Sequence, residues 1–79
     1  MVNDEVHNPS HYERGGMKAK DVMKAMLDGM LVPGIVAHWW ATAFKYLWRW
    51  PAKNGVKDLK KCRESLDILI EEAEAAGMR

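Results

Sequence analysis

Apolar residues recur every three or four positions in three stretches of the 79-residue chain, the period of one face of an α-helix. Val22, Met23, Met26, Leu27 and Met30 set the first stretch and predict a helix over 18–30, which Leu31-Val32-Pro33-Gly34 ends or turns sharply. The second predicts a helix over 35–50, with Trp40, Phe44, Leu47 and Trp48 on one side and His38, Thr42, Lys45 and Arg49 on another. Pro51 stops it by removing a backbone donor. The third, over 56–76, carries Leu59, Cys62, Leu66, Leu69, Ile70 and Ala73 on a stripe close to a heptad seam. Asn54 or Gly55 can cap its start, Asp58 favours its first turn through the helix dipole, and Gly77 is placed to end it. Residues 1–17 hold no sustained period and close on Gly15-Gly16, so they read as an irregular arm. The predicted architecture is all-α: one domain over 1–79, three helices and an irregular N-terminal arm.

Size bears on this picture. A chain of 79 residues buries only about 60% of its unfolded surface, which leaves its core marginal. Neither usual staple is available, because one cysteine cannot form an internal disulfide and zinc-ligand spacing is absent. Four tryptophans, six methionines and a hydrophobic fraction of 48% supply enough apolar material for a face shared between copies, so the expected state is a homo-oligomer. The net charge of +1 argues against coating extended nucleic acid, and any anionic partner is expected to be small. No apolar run nears the roughly 20 residues of a membrane span, and Met1-Val2-Asn3-Asp4-Glu5 lacks signal-peptide character, so a reduced, cytoplasmic chain without a membrane role is expected.

Candidate chemistry concentrates between Phe44 and Gly55. Lys45, Arg49, Lys53, Lys60 and Lys61 bracket the break between the second and third helices, where the free N–H groups of a helix start add positive potential. These are ingredients of an anion site. Taken singly, Lys53, Lys60 and Lys61 read as ordinary solvated lysines, whereas Lys45 and Arg49 stand on a helix crowded with apolar residues, where a cation without a partner is costly. Tyr46, Trp48 and Trp50, or Trp39 and Trp40, could stack on a planar ring, although at least two of the tryptophans are expected to be packing. Asn8-Pro9-Ser10-His11-Tyr12 offers an imidazole and a phenol behind a proline-fixed backbone. No phosphate loop, nucleophile elbow or dinucleotide fingerprint occurs, and no acid pair is spaced for general acid and base roles, so no catalytic residue, metal or cofactor is assigned.

Three blocks resemble the SaV-like proteins of bacteriophages. Asn8-Pro9-Ser10-His11-Tyr12 is similar to that family's N-terminal His-Tyr motif, Phe44-Lys45-Tyr46-Leu47-Trp48-Arg49 to its central motif, and Lys53-Asn54-Gly55 with Asp58-Leu59-Lys60-Lys61 to the segment that follows. Thr42 stands where the family often has asparagine, and Trp50 where it often has a small residue. The family includes a longer nucleotide kinase without the usual phosphate loop and a protein that interacts with a host abortive-infection system. Carried over by position, the resemblance implicates His11, Tyr12, Lys45, Tyr46, Arg49, Lys53, Asp58 and Lys60, and Asn54 of the same turn joins them.

Cations and rings without catalytic carboxylates point to a binding module. With the resemblance, the expectation is a phage counter-defence protein in the cytoplasm of an infected bacterium, binding and sequestering a small cyclic or signalling nucleotide in a cationic, aromatic-lined pocket. Two alternatives belong to other classes: a nucleotide kinase or phosphotransferase, and a helical module that binds a host protein.

Overall fold

The computed structural model describes residues 13–79. Helix α1 spans Ala19–Leu27, α2 Gly34–Arg49 and α3 Val56–Ala75, and a short 3-10 turn at Trp50–Ala52 joins α2 to α3. The chain is therefore mostly helical, as its three apolar stretches imply.

Two local features depart from the pattern. The arm, expected to be irregular through residue 17, ends in a small antiparallel hairpin in which β1 (Glu13–Arg14) pairs with β2 (Met17–Lys18), setting Glu13 opposite Lys18. Gly15 and Gly16 form its two-residue turn with φ of 55° and 76°, the left-handed pair that this tight connection requires. Helix α1 stops at Leu27, a turn before the expected position 30, because Gly29 adopts φ 71° and the Met30 N–H turns back to the Leu27 carbonyl. Leu31, in the connection that follows, is 99% exposed.

Helices α2 and α3 form an antiparallel pair, and their seam is made of small residues. Val36, Ala43 and Cys62 are buried along it, and the Cys62 thiol donates to the Ala43 carbonyl across 3.4 Å. Burial pushes the Cys62 thiol above its ordinary pKa, so it stays neutral and unreactive at physiological pH. The large apolar side chains of both helices lie beside this seam and are half-buried or exposed. Helix α3 ends where Gly77 turns left-handed at φ 76°, while the Met78 N–H reaches the Ala73 carbonyl at 2.9 Å.

A seam this close leaves no room for added methylenes. Ala43→Leu is expected to destabilise the chain by about 1–3 kcal/mol, measured as a lower midpoint in urea unfolding followed by circular dichroism.

Candidate functional site

Arg49 ends α2 and Asp58 lies in the first turn of α3, so the reversal between the helices brings them together. Asp58 is 0% exposed and Arg49 only 7%. Arg49 Nε donates to Asp58 Oδ2 at 3.2 Å and Arg49 Nη2 to Asp58 Oδ1 at 3.4 Å, a two-point contact that suits the planar guanidinium. Asn54 Nδ2 donates to Asp58 Oδ1 at 3.2 Å. Gly55, at φ 59°, starts α3, its N–H bonding the Trp50 carbonyl at 2.7 Å and its carbonyl accepting from the Asp58 N–H at 2.9 Å. Asn54 thus holds the carboxylate rather than capping the helix with its side chain.

Full burial of Asp58 works against its charge. The hydrogen bonds from Arg49 and Asn54, together with the Arg49 charge, outweigh that effect and hold the carboxyl below its ordinary value of 3.8.

This changes the candidate site. Arg49 and Asp58 were expected among its ligand contacts, but each is the other's buried partner, and Asp58 has no surface to offer a ligand. Arg49 is no solvated cation on an apolar helix; the apolar surroundings are tolerable because Asp58 neutralises it there.

The remaining groups converge on Tyr46. Lys45 Nζ lies 5.1 Å from the Tyr46 ring centroid, Arg49 Cζ 4.9 Å and Lys61 Nζ 5.9 Å, so three cations surround one aromatic ring at cation–π distances. Beside it, between α2 and α3, runs an open groove of about 230 Å³ lined by Trp39, Thr42, Tyr46, Lys61, Glu64, Ser65 and Ile68. Thr42 Oγ1 donates to the His38 carbonyl at 2.7 Å and Ser65 Oγ to the Lys61 carbonyl at 2.9 Å. Both hydroxyls therefore keep oxygen lone pairs that can accept a bond.

The structure brings Lys45, Tyr46 and Arg49 together, and Arg49, Asn54 and Asp58 into a second, linked cluster. Lys53 and Lys60 are exposed and do not line the groove. His11 and Tyr12 lie outside the described residues. Lys61 faces Tyr46 where the adjacent Lys60 does not, and helical phase carries the signal: Asp58, Lys61, Ser65 and Ile68 share the α3 face turned to α2. Trp39, Thr42 and Ser65 also line the groove; Trp39 is readable as a stacking ring and Thr42 shares the polar stripe of Lys45 and Arg49, while Ser65 carries no motif.

On the other side of α2, Phe44 and Trp48 pack with ring centroids 5.6 Å apart. The Arg14 guanidinium lies 5.2 Å from the Trp48 ring centroid and Nη2 donates to the Trp48 carbonyl, docking the β-hairpin onto the end of α2. The Trp48 indole Nε1 is buried without a hydrogen-bond partner among the described residues. No helix among the described residues is long and apolar enough to cross a membrane.

A family model described as a protein of unknown function, DUF3310, matches residues 6–67, most of the chain and all three motif blocks. No curated protein and no solved structure matches.

Removing one member of a buried pair leaves the other charged and unpaired, so Arg49→Ala is expected to destabilise the fold by about 3–5 kcal/mol, read by thermal unfolding. Asp58 titrates lower in the folded chain than in the unfolded one. Its stabilising contribution is therefore complete above about pH 4 and is lost as the pH falls through the folded value. Acid titration followed by circular dichroism should show a transition below pH 4 that moves to higher pH in Asn54→Ala, where one of the bonds holding the carboxylate is gone.

Proposed function

The chain belongs to the DUF3310 family, and from that premise we propose that it binds a small nucleotide in the groove between α2 and α3. One observation carries the reading: the cations of Lys45, Arg49 and Lys61 gather around Tyr46 at a groove that also presents the Trp39 ring. Lys61 and Lys45 serve the phosphate, Trp39 offers a face to the base, and the Thr42 and Ser65 oxygens accept from its amino groups. Arg49 acts at one remove, fixing Tyr46 and the helix start while paired to Asp58. His11, Tyr12, Lys53 and Asn54 stay in the proposal through their motifs alone.

A groove of about 230 Å³ is smaller than the roughly 300–1,000 Å³ usual for ligand sites, which suits a small ligand held at an open surface. The finer reading rests on the similarity of the three motif blocks to the SaV-like phage proteins. In it the protein is a homo-oligomeric counter-defence factor in the infected cytoplasm, holding a cyclic or signalling nucleotide away from its receptor. Sequestration needs affinity and no turnover, which suits a groove lined by the Lys61 cation, the hydroxyls of Thr42 and Ser65 and a single carboxylate, Glu64, with Lys45 and Arg49 against the Tyr46 ring.

Isothermal titration calorimetry with cyclic dinucleotides, cyclic ADP-ribose isomers and mononucleotides is expected to show binding by at least one of them. Lys61→Ala should weaken that binding about tenfold or more, the loss of one charge-assisted contact, while the thermal midpoint falls only by the small cost of one cation–π contact, about 0.5–1 kcal/mol. The bound nucleotide should be recovered intact after prolonged incubation. No heat with any of these from folded protein would refute the reading, and conversion of the nucleotide would replace holding with catalysis.

A further inference from the structure

The second groove of the α2–α3 pair lies on the opposite side from Tyr46 and is apolar. It measures about 240 Å³ and is lined by Met26, Trp40, Phe44, Leu47, Leu66 and Leu69 above the small seam of Ala43 and Cys62. Leu47 is 57% exposed, Leu66 43%, and Ile70, one turn beyond Leu66, 55%. Exposed leucine and isoleucine beside an apolar groove mark a surface that another element covers. We propose that the cover is a second copy of this chain, packed so that the two α3 helices run antiparallel about a two-fold axis at Leu66.

The charges of α3 identify both occupant and direction. Lys60, Arg63, Asp67, Glu71 and Glu74 are all exposed and follow one another at steps of three and four, forming a single stripe along the flank of the Leu66–Ile70 edge. Within that stripe the cations precede Leu66 and the carboxylates follow it. In an isolated helix this order is unfavourable twice over. Neighbours three and four apart carry like charge at Lys60–Arg63, Asp67–Glu71 and Glu71–Glu74, against one opposite-sign step at Arg63–Asp67, and Glu74 stands in the last turn, where the dipole opposes it. An antiparallel copy reverses both terms. It lays the partner's carboxylates along Lys60 and Arg63, lays this chain's carboxylates along the partner's cations, and sets the two helix dipoles head to tail. A parallel copy would stack like on like.

The dimensions agree. A 20-residue helix is about 30 Å long, and two helices packed about 9 Å apart present a face roughly 20 Å wide. That gives at most on the order of 600 Å² per partner, since Met26 of α1 borders the same groove, the size of a smaller, reversible interface. Two such pairs joined face to face form a four-helix arrangement, with each Tyr46 groove left on the outside.

This inference rests on the self-association in the reading above but not on its ligand. Sedimentation equilibrium of the full chain is expected to show a dimer or a multiple of one. In the Leu66→Cys variant, the two copies should crosslink through their new cysteines under diamide, the buried Cys62 not competing. Lys60→Glu with Arg63→Glu should raise the dimer dissociation constant about tenfold or more, and adding Glu71→Lys with Glu74→Lys should restore it. These positions are exposed, so folding is preserved and can be checked by circular dichroism. A monomer at all concentrations would overturn both this inference and the self-association above. An oligomer whose Leu66→Cys form does not crosslink, or whose affinity ignores the charge reversals, would overturn this inference alone.

Discussion

Everything at the α2–α3 reversal depends on one buried ion pair. Arg49 and Asp58 are taken out of water, and such burial is tolerated only when geometry is good and the other lone pairs are occupied, as the two contacts from Arg49 and the third from Asn54 achieve here. The pair fixes how α2 meets α3, which sets the small seam at Ala43 and Cys62 and so the grooves on either side. It also holds the Arg49 guanidinium against the Tyr46 ring. A residue whose charge and position resembled a ligand contact is thus the support on which the candidate site stands.

The two sides of the helix pair divide the chemistry. One collects Tyr46, cations and hydroxyls; the other collects rings and aliphatic side chains, with Arg14 and its hairpin closing one end. The division follows from helical phase. Neighbouring positions on α2 such as Trp39 and Trp40 point to opposite grooves, so a run of aromatic residues that looks like a single cluster in sequence is split in space.

The three helices were legible because their apolar period runs through several turns. The β-hairpin was not, since strands of two residues cannot show alternation and their only signal is the Gly15-Gly16 turn. The early end of α1 was hidden because Gly29 competed with a Pro33-Gly34 signal a few residues later. The Arg49–Asp58 pair was harder still. Both residues lay in the right region, yet the nine-residue step from one to the other crosses a helix break, and no period connects residues on either side of one. Lys60 and Lys61 were indistinguishable by type; only the rotation of α3 against α2 separates them.

The local character of the α2–α3 seam has a consequence for how the chain acquires its structure. The partners that define it are close in sequence, nine residues apart for Arg49 and Asp58 and nineteen for Cys62 and Ala43. Bringing them together closes short loops, and short loops cost little chain entropy. The helix pair can therefore form early as a unit, nucleated at its turn and zipping outward along alternating small residues, while α1 and its hairpin join afterwards through Arg14 and Trp48.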